Sequence, residues 1–157
     1  MEDQNLSERK ATIIDKLVST GLGSGLSPVA PGTAGSLVGI LIYLIPGFEK
    51  NQIIIPATAV FFFWGAFASG KMEKVYGHDP SRVVIDEIVG MWTSFVFLPK
   101  KIVVVVAAFL LFRLLDIIKP FPASRFDKNA GGLAIMLDDL TCGIYTNLLI
   151  QIYLRFF

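Results

Sequence analysis

Long apolar segments separated by short polar stretches dominate the chain, and their lengths predict its elements. A helix needs about 20 mostly apolar residues to cross a bilayer, with about 17 as a practical minimum. Segment 52–69 meets this length without a charged side chain. Four further segments are shorter or contain polar interruptions: 33–48, 85–98, 102–118 and 140–157. Together the five segments predict an all-α fold, a compact polytopic bundle of about five hydrophobic membrane helices in one domain over residues 1–157.

The N-terminal region has a different, amphipathic pattern. A helix from Glu8 to Ser19 would place apolar and basic side chains on opposite sides. The apolar set is Ile13, Ile14, Leu17 and Val18, and the basic set is Arg9, Lys10 and Lys16. This is the pattern of a helix that lies in the membrane interface. The polar start of the chain does not resemble a cleavable signal peptide, so we expect the N-terminus on the cytoplasmic side.

The distribution of basic residues predicts the orientation of the bundle. If the five segments cross in alternation, ten Lys and Arg residues fall on one side and four on the other. Cytoplasmic loops carry an excess of Lys and Arg, so the larger group should lie inside. The stretches rich in glycine, proline and acids fall at these inner ends: 19–36, 77–90, 113–128 and 129–139. We therefore expect the functional site to face the cytoplasm.

The overall composition excludes several classes of function. Hydrophobic residues make up 54% of the 157 residues, which is high for a soluble domain. The formal net charge is only +1, so we expect no nucleic-acid partner. A single cysteine, Cys142, can form neither an internal disulfide nor a Cys-rich zinc site. The lone His78 excludes mechanisms that need two histidines.

A loop rich in glycine and proline, residues 21–36, is a candidate for anion binding. Alternating glycines followed by two prolines predict a sharply turned backbone, and Thr33 is placed to cap the helix that follows. Amides at a helix N-terminus attract anions. The candidate phosphate ligands here are Ser24, Gly25, Thr33 and Ser36. Helix packing alone is the alternative reading of the glycines, and no Gly-Lys-Ser/Thr P-loop is present.

Five acidic residues interrupt apolar surroundings: Asp86, Glu87, Asp116, Asp138 and Asp139. At membrane depth each ionised group costs about 2.5 to 3.5 kcal/mol on insertion scales, so five would cost about as much as a whole domain's stability. These acids must therefore lie near the surface, be protonated, be paired or bind a cation. A helix-capping acid or a surface ion-pair ladder is the alternative explanation for single members of the set, but neither accounts for the whole set. Oxygen ligands without a Cys or His cluster select a hard ion, first Mg²⁺.

Basic side chains beside these acids complete the candidate site. Arg113, Asp116 and Lys119 fall about one turn apart on one helical face, just before Pro120 ends or bends the helix. A hard cation next to Arg113, Lys119 and a Gly/Ser loop would form a binding site for phosphate. The residues alone therefore predict metal-dependent phosphoryl chemistry at a membrane surface, with the substrate left open.

Four motifs in this order resemble the phosphatidylglycerophosphatase A family. They are GLGSGLSPVAPGTAGS (21–36), GHD with IDEIVGMW (77–92), FRLLDIIKPFP with RFDKN (112–129) and GGLAIMLDD (131–139). The resemblance implies an integral, Mg²⁺-dependent enzyme of the bacterial cytoplasmic membrane. Such an enzyme would hydrolyse the terminal phosphate of phosphatidylglycerophosphate to give phosphatidylglycerol and inorganic phosphate.

The resemblance and the charge pattern together predict a role for each of these residues. Asp86, Glu87, Asp138 and Asp139, with Asp116 as a further candidate, would hold one or two Mg²⁺ and serve catalysis. Arg113, Lys119 and the loop would bind the phosphate. A water molecule and an Asp carboxylate remain alternative nucleophiles, and His78 remains either a proton-transfer residue or a turn residue. The alternative function is a cation or proton transporter that uses the buried paired carboxylates.

Overall fold

The computed structural model describes residues 12–156, and every regular element in that range is helical. The helices are α1 (Ile13–Ser19), α2 (Pro31–Tyr43), α3 (Asn51–Tyr76), α4 (Ile85–Phe95), α5 (Ile102–Ile118), α6 (Ala123–Asp127) and α7 (Gly132–Phe156). A short 3₁₀ turn, Ser24–Leu26, lies between α1 and α2. The predicted all-α class is confirmed.

Helix α7 is the hub of the bundle, because it packs against α3, α4, α5 and α6. Helix α4 is the most enclosed element and lies between α2, α3 and α7. The core at their contacts is apolar and aromatic: Tyr43 stacks on Phe95 with ring centroids 4.1 Å apart, and Phe112 is fully buried. The short α4 is therefore positioned by its neighbours on every side.

Glycines let α4 and α7 approach very closely. A Cβ atom on Gly143 would lie 2.4 Å from the carbonyl oxygen of Gly90, and a Cβ on Gly90 would lie 2.9 Å from that of Asp139. Neither distance is possible for a real side chain, so both positions require glycine. This contact brings the N-terminal turn of α4 beside the acidic turn of α7.

The connections fall into two groups at opposite ends of the bundle. At one end the ammonium group of Lys100 donates to the carbonyl of Leu44 at 3.0 Å and to Glu49 at 3.1 Å. The backbone amide of Phe97 donates to Asn51 at the same end. The N-terminal ends of α2, α4 and α7 meet the C-terminal ends of α3 and α5 at the other end, around the site described below.

Among the helices within residues 12–156, two are long and apolar enough to cross a membrane: α3, with 26 residues, and α7, with 25. Helix α5 has the bounds predicted from its apolar run, 102–118. Helix α7 begins at Gly132, eight residues before the predicted start at Leu140, because a helical backbone continues through Asp138 and Asp139. Helix α2 spans Pro31–Tyr43 rather than 33–48, and α4 ends at Phe95 rather than Leu98.

Helix α1 presents its apolar side outward. Ile13 is 78% exposed and Ile14 is 59% exposed, whereas Asp15 is buried and accepts a hydrogen bond from Lys71 at 2.7 Å. That hydrogen bond is the main reason why the pKa of Asp15 lies below its ordinary value. Thr12 caps the helix at its start. The predicted residues Glu8 to Ala11, with Arg9 and Lys10, lie outside the described range.

Candidate functional site

A cavity of about 290 Å³ opens where the inner ends of the helices meet. The five predicted acids all line it: Asp86, Glu87, Asp116, Asp138 and Asp139. Arg113 and Lys119 line it as well. Residues separated by more than 50 positions in the sequence thus share one polar cavity, as the charge pattern predicts.

Each acid is held by a different part of the helical framework. Asp86 and Glu87 occupy the first turn of α4, and Asp116 the last turn of α5. Asp138 and Asp139 lie in the second turn of α7 and are almost completely buried. The acids therefore sit near helix ends, at one end of the bundle, rather than half-way along it.

The two basic residues are already paired with acids. Arg113 contacts the carboxylate of Asp116 at 2.8 Å and donates a long hydrogen bond to the hydroxyl oxygen of Ser36 at 3.5 Å. The ammonium group of Lys119 donates to Asp138 at 2.6 Å and also to Asp127. These pairs hold both cationic groups at the cavity wall, where a phosphate would be within their reach.

Several buried carboxylate oxygens in the cavity have no hydrogen-bond partner among the described residues. They are Asp86 Oδ1, Glu87 Oε2 and Asp138 Oδ1. A buried charge without a partner is strongly unfavourable, so these oxygens are suited to accept a hydrogen bond or to coordinate a cation.

The acids form two groups that could each hold a cation. One oxygen from each of Asp86, Glu87 and Asp139 lies within 4.8 Å of the other two, and the same holds for Asp116, Asp138 and Asp139. All the ligands are carboxylates, which fits a hard divalent ion such as Mg²⁺. The residues present therefore fit the predicted metal.

The predicted phosphate loop is only partly at the cavity. Ala30, Pro31 and Gly32, at the start of α2, line it. A Cβ atom on Gly32 would lie 2.3 Å from a carboxylate oxygen of Glu87, so a side chain at this position would displace the Glu87 carboxylate. Ser36 is buried one turn later and reaches the site through Arg113.

Three other predicted loop residues do not line the cavity: Ser24, Gly25 and Thr33. The hydroxyl of Ser24 donates to the carbonyls of Gly21 and Thr20 within its own turn. Gly25 packs against the backbone of Arg82. Thr33 is not the cap of α2, since Ala30 holds the cap position and Pro31 begins the helix. The geometry corrects these placements, because the loop glycines serve packing and turning.

His78 is a structural link at the mouth of the cavity. Its Nδ1 lies 2.9 Å from Glu73 Oε1 and its Nε2 lies 3.1 Å from the carbonyl oxygen of Asp127. The hydrogen bond to Glu73 is the main cause that raises the pKa of His78. Glu73 also accepts from the amide of Gly131 at 2.7 Å. The imidazole thus joins α3 to the C-terminal end of α6, and Glu73 itself contacts the residue before α7.

Sequence reasoning omitted Asp79 and Asp127 from the site, although both line the cavity. Asp79 follows His78 with a left-handed backbone, φ 44°, and burial raises its pKa. Asp127 accepts a hydrogen bond from Lys119. Asp79 lies in the GHD motif and Asp127 in the RFDKN motif, so these motifs could have identified both residues as part of the site.

Comparison with known proteins relates the chain to a family of phosphatases. Residues 17–154 match the family model described as phosphatidylglycerophosphatase A. A phosphatidylglycerophosphatase A of Escherichia coli is 39% identical over 131 residues, which cover 82% of this chain and 76% of that protein. The corresponding protein of Haemophilus influenzae is 40% identical over 133 residues, with 82% of each chain covered.

A third relative has a different name. A protein of Bacteroides thetaiotaomicron, provisionally named phosphatidylinositol-3-phosphatase, is 38% identical over 152 residues, 92% of this chain and 96% of that protein. No solved structure matches this chain.

Proposed function

This chain belongs to the phosphatidylglycerophosphatase A family and is a phosphatase, and from that premise we propose a specific reaction for it. It hydrolyses the terminal phosphate monoester of phosphatidylglycerophosphate, in a Mg²⁺-dependent reaction, and releases phosphatidylglycerol and inorganic phosphate in phospholipid biosynthesis. The observation that carries this proposal is the gathering of five carboxylates, Arg113 and Lys119 around one cavity at one end of the bundle.

The carboxylates are the proposed metal ligands. Asp86, Glu87, Asp138 and Asp139 would hold Mg²⁺, with Asp116 beside them. Bound there, the ion supplies charge neutralisation at the phosphoryl group and a more acidic bound water. This matters because monoester hydrolysis is among the slowest uncatalysed reactions. The unpartnered oxygens of Asp86, Glu87 and Asp138 support the assignment.

Arg113 and Lys119 are the proposed phosphate ligands. A guanidinium and an ammonium group at the cavity wall can donate to the phosphoryl oxygens and stabilise the negative charge. Both are oriented by ion pairs, to Asp116 and to Asp138. Ser36 acts by positioning Arg113 through its hydroxyl oxygen rather than by contacting phosphate.

A membrane setting is proposed for this reaction. Large apolar side chains are exposed on the outer faces of α3, α5 and α7, including Phe63 at 70%, Val103 at 75% and Leu110 at 61%. Contiguous apolar exposure of this kind suits contact with lipid. We place the protein in the bacterial cytoplasmic membrane as a multi-pass bundle, with the cavity at the cytoplasmic face and the lipid tails of the substrate against the apolar helices.

Phosphate release by the purified protein in mixed micelles tests the reaction. We expect hydrolysis of phosphatidylglycerophosphate that a chelator abolishes and Mg²⁺ restores. Phosphatidylinositol 3-phosphate is the second substrate to include, because the relative of B. thetaiotaomicron is named for it. Faster hydrolysis of the inositol lipid would overturn the headgroup assignment, and an inactive but ion-conducting preparation would favour the transporter alternative.

Substitution of the proposed ligands tests the site itself. Asp86→Asn or Asp139→Asn removes a ligand without making a cavity, so the fold should persist. Loss of a residue that only supports a metal ligand lowers metal affinity or activity by about 10- to 100-fold. Loss of a direct ligand should therefore lower turnover by at least about 100-fold. Glu49→Gln, at the opposite end of the bundle, is the matched control. Near-normal turnover of both variants at limiting Mg²⁺ would exclude the ligand assignment.

A further inference from the structure

Asp139 belongs to both groups of carboxylates in the cavity. Its oxygens lie within 4.8 Å of ligand atoms of Asp86 and Glu87 on one side, and of Asp116 and Asp138 on the other. The first pair comes from α4, whereas Asp116 comes from α5 and Asp138 from α7 itself. A single side chain thus stands between two separate sets of oxygen ligands.

Each set contains a buried oxygen that has no hydrogen-bond partner among the described residues. In the first set these atoms are Asp86 Oδ1 and Glu87 Oε2, and in the second it is Asp138 Oδ1. Asp86 is 8% exposed and Asp138 is 5% exposed, so neither oxygen is satisfied by bulk water. One cation bound in one set would leave the other set with an unsatisfied buried oxygen.

The charges in the cavity also favour two cations over one. Five carboxylates face two permanent positive charges, those of Arg113 and Lys119, which leaves an excess of three negative charges. Asp79 and Asp127, which also line the cavity, only add to this excess. One divalent ion would leave the five-carboxylate cluster negative, and it would repel a phosphate dianion. With all seven lining acids counted, two divalent ions reduce the excess from five negative charges to one, which removes most of the repulsion.

Asp139 is held in its shared position by the contact between α4 and α7. The absence of side chains at Gly90 and Gly143 lets the backbone of Asp139 lie directly against α4. Lys119 occupies the far side of Asp138 through Oδ2 and leaves Oδ1 of Asp138 free for a ligand. Helix packing therefore holds the carboxylates of each set in place, and neither set depends on the other for its position.

We propose that the cavity holds a pair of divalent cations that share Asp139 as a common ligand. One ion lies in the set formed with Asp86 and Glu87, and the other in the set formed with Asp116 and Asp138. Two-metal sites are a recurring device of phosphatases, where they stabilise both the attacking and the leaving oxygen. The inference rests on the proposed metal dependence and adds the number of ions and the role of each ligand.

Binding of Mn²⁺, a spectroscopic substitute for Mg²⁺, tests the pair on the intact protein in detergent. Titration followed by electron paramagnetic resonance of the bound Mn²⁺ gives the stoichiometry and shows whether the ions interact. We expect two Mn²⁺ per chain with the broadened spectrum of a spin-coupled pair. One Mn²⁺ per chain with the spectrum of an isolated ion would overturn the inference.

Three substitutions assign the ligands. Asp86→Asn and Asp138→Asn should each reduce the bound Mn²⁺ from two to one and abolish the coupling, while Asp139→Asn should weaken both ions. Glu49→Gln, which carries the same change at the opposite end of the bundle, should keep two coupled ions. Loss of both ions in Asp86→Asn and in Asp138→Asn, with folding confirmed by circular dichroism, would also contradict two separate sets.

The same preparation separates this inference from the proposed function. A wild-type protein that binds one ion and hydrolyses the lipid only with metal would retain the function and exclude the pair. A protein that binds no ion and remains active in chelator would exclude both the pair and the metal dependence.

Discussion

Lys119 lies where α5 ends, and its backbone conformation directs it over the cavity. The residue has a left-handed conformation, φ 50° and ψ 64°, which costs a non-glycine residue about 1–2 kcal/mol. Pro120 follows and cannot continue the helix. The strained turn is offset by the contacts of the ammonium group with Asp127 and Asp138. These contacts and the reach of the side chain make Lys119 the clearest single test of phosphate binding.

Lys119→Ala should weaken substrate binding more than metal binding. A hydrogen bond to a charged group contributes about 1.5–3 kcal/mol, so KM for the lipid should rise about 10- to 100-fold. Steady-state kinetics at saturating Mg²⁺ measure the effect. Lys128→Ala removes an exposed positive charge outside the cavity wall and should leave KM near the wild-type value. An unchanged KM in Lys119→Ala would contradict the assignment.

His78 allows a test of the network at the cavity mouth, since it is the only histidine in the chain. Its hydrogen bonds to Glu73 and to the carbonyl of Asp127 should hold its pKa above the ordinary value of 6.5. Because the pKa is raised by folding, the protonated imidazole stabilises the fold at pH values below its unfolded pKa. That contribution is lost as the pH rises through the folded pKa.

Nuclear magnetic resonance of the single imidazole gives this pKa directly. Glu73→Gln should lower it toward 6.5, because it removes the main cause of the shift. A wild-type value at or below 6.5 would contradict the observed bridge.

At the residue scale, the sequence was sufficient to predict the acids but not the loop. Asp86, Asp116 and Asp139 stood out because ionisable groups in apolar surroundings need a partner. Ser24 and Thr33 looked equally plausible, yet whether a hydroxyl in a glycine-rich turn faces the site depends on backbone angles that the pattern does not fix. Asp127 was overlooked because it lies in a polar segment, where an acid needs no explanation.

At the scale of elements, the glycine contact between α4 and α7 controls the geometry of the site. Gly143→Ala should force the two helices apart, because its Cβ would lie 2.4 Å from the backbone oxygen of Gly90. We expect at least a tenfold loss of activity together with a destabilisation of about 1–3 kcal/mol, as for other overpacked cores.

Gly70→Ala is the matched control for this change. Its Cβ would lie 3.5 Å from the nearest atom, an ordinary contact, and alanine favours a helix over glycine by about 1 kcal/mol. Thermal unfolding and phosphate release measured on both variants check the prediction. Equal activity of the Gly143 variant and the wild type would show that the close approach is not required.

Helix bounds were predicted well only where the apolar run and the helix coincide. Helix α5 was predicted correctly because its apolar residues begin after Lys101 and Pro120 follows its end. Helix α7 was predicted to start too late, because its second turn contains Asp138 and Asp139, which break the hydrophobic pattern. Polar residues of a site thus interrupt the hydrophobic pattern from which the bounds of their helix are predicted.

At the scale of the whole molecule, helix lengths constrain how the bundle can sit in a bilayer. With a rise of about 1.5 Å per residue, α3 and α7 are each nearly 40 Å long and exceed the roughly 30 Å hydrocarbon core. Helices α2 and α4, with 13 and 11 residues, are too short to cross unaided. Helix α4 is enclosed by other helices, so its ends need not reach both surfaces.

The two ends of the bundle should therefore be accessible from opposite sides of the membrane. Cys142 is buried and is the only cysteine, so a Cys142→Ser background permits labelling of single introduced cysteines. Lys101→Cys, at the end away from the cavity, should react with an impermeant maleimide in intact spheroplasts. Lys128→Cys, on the cavity side, should react only after the membrane is opened. Labelling of both variants from outside would contradict the predicted orientation, in which the end richer in Lys and Arg faces the cytoplasm.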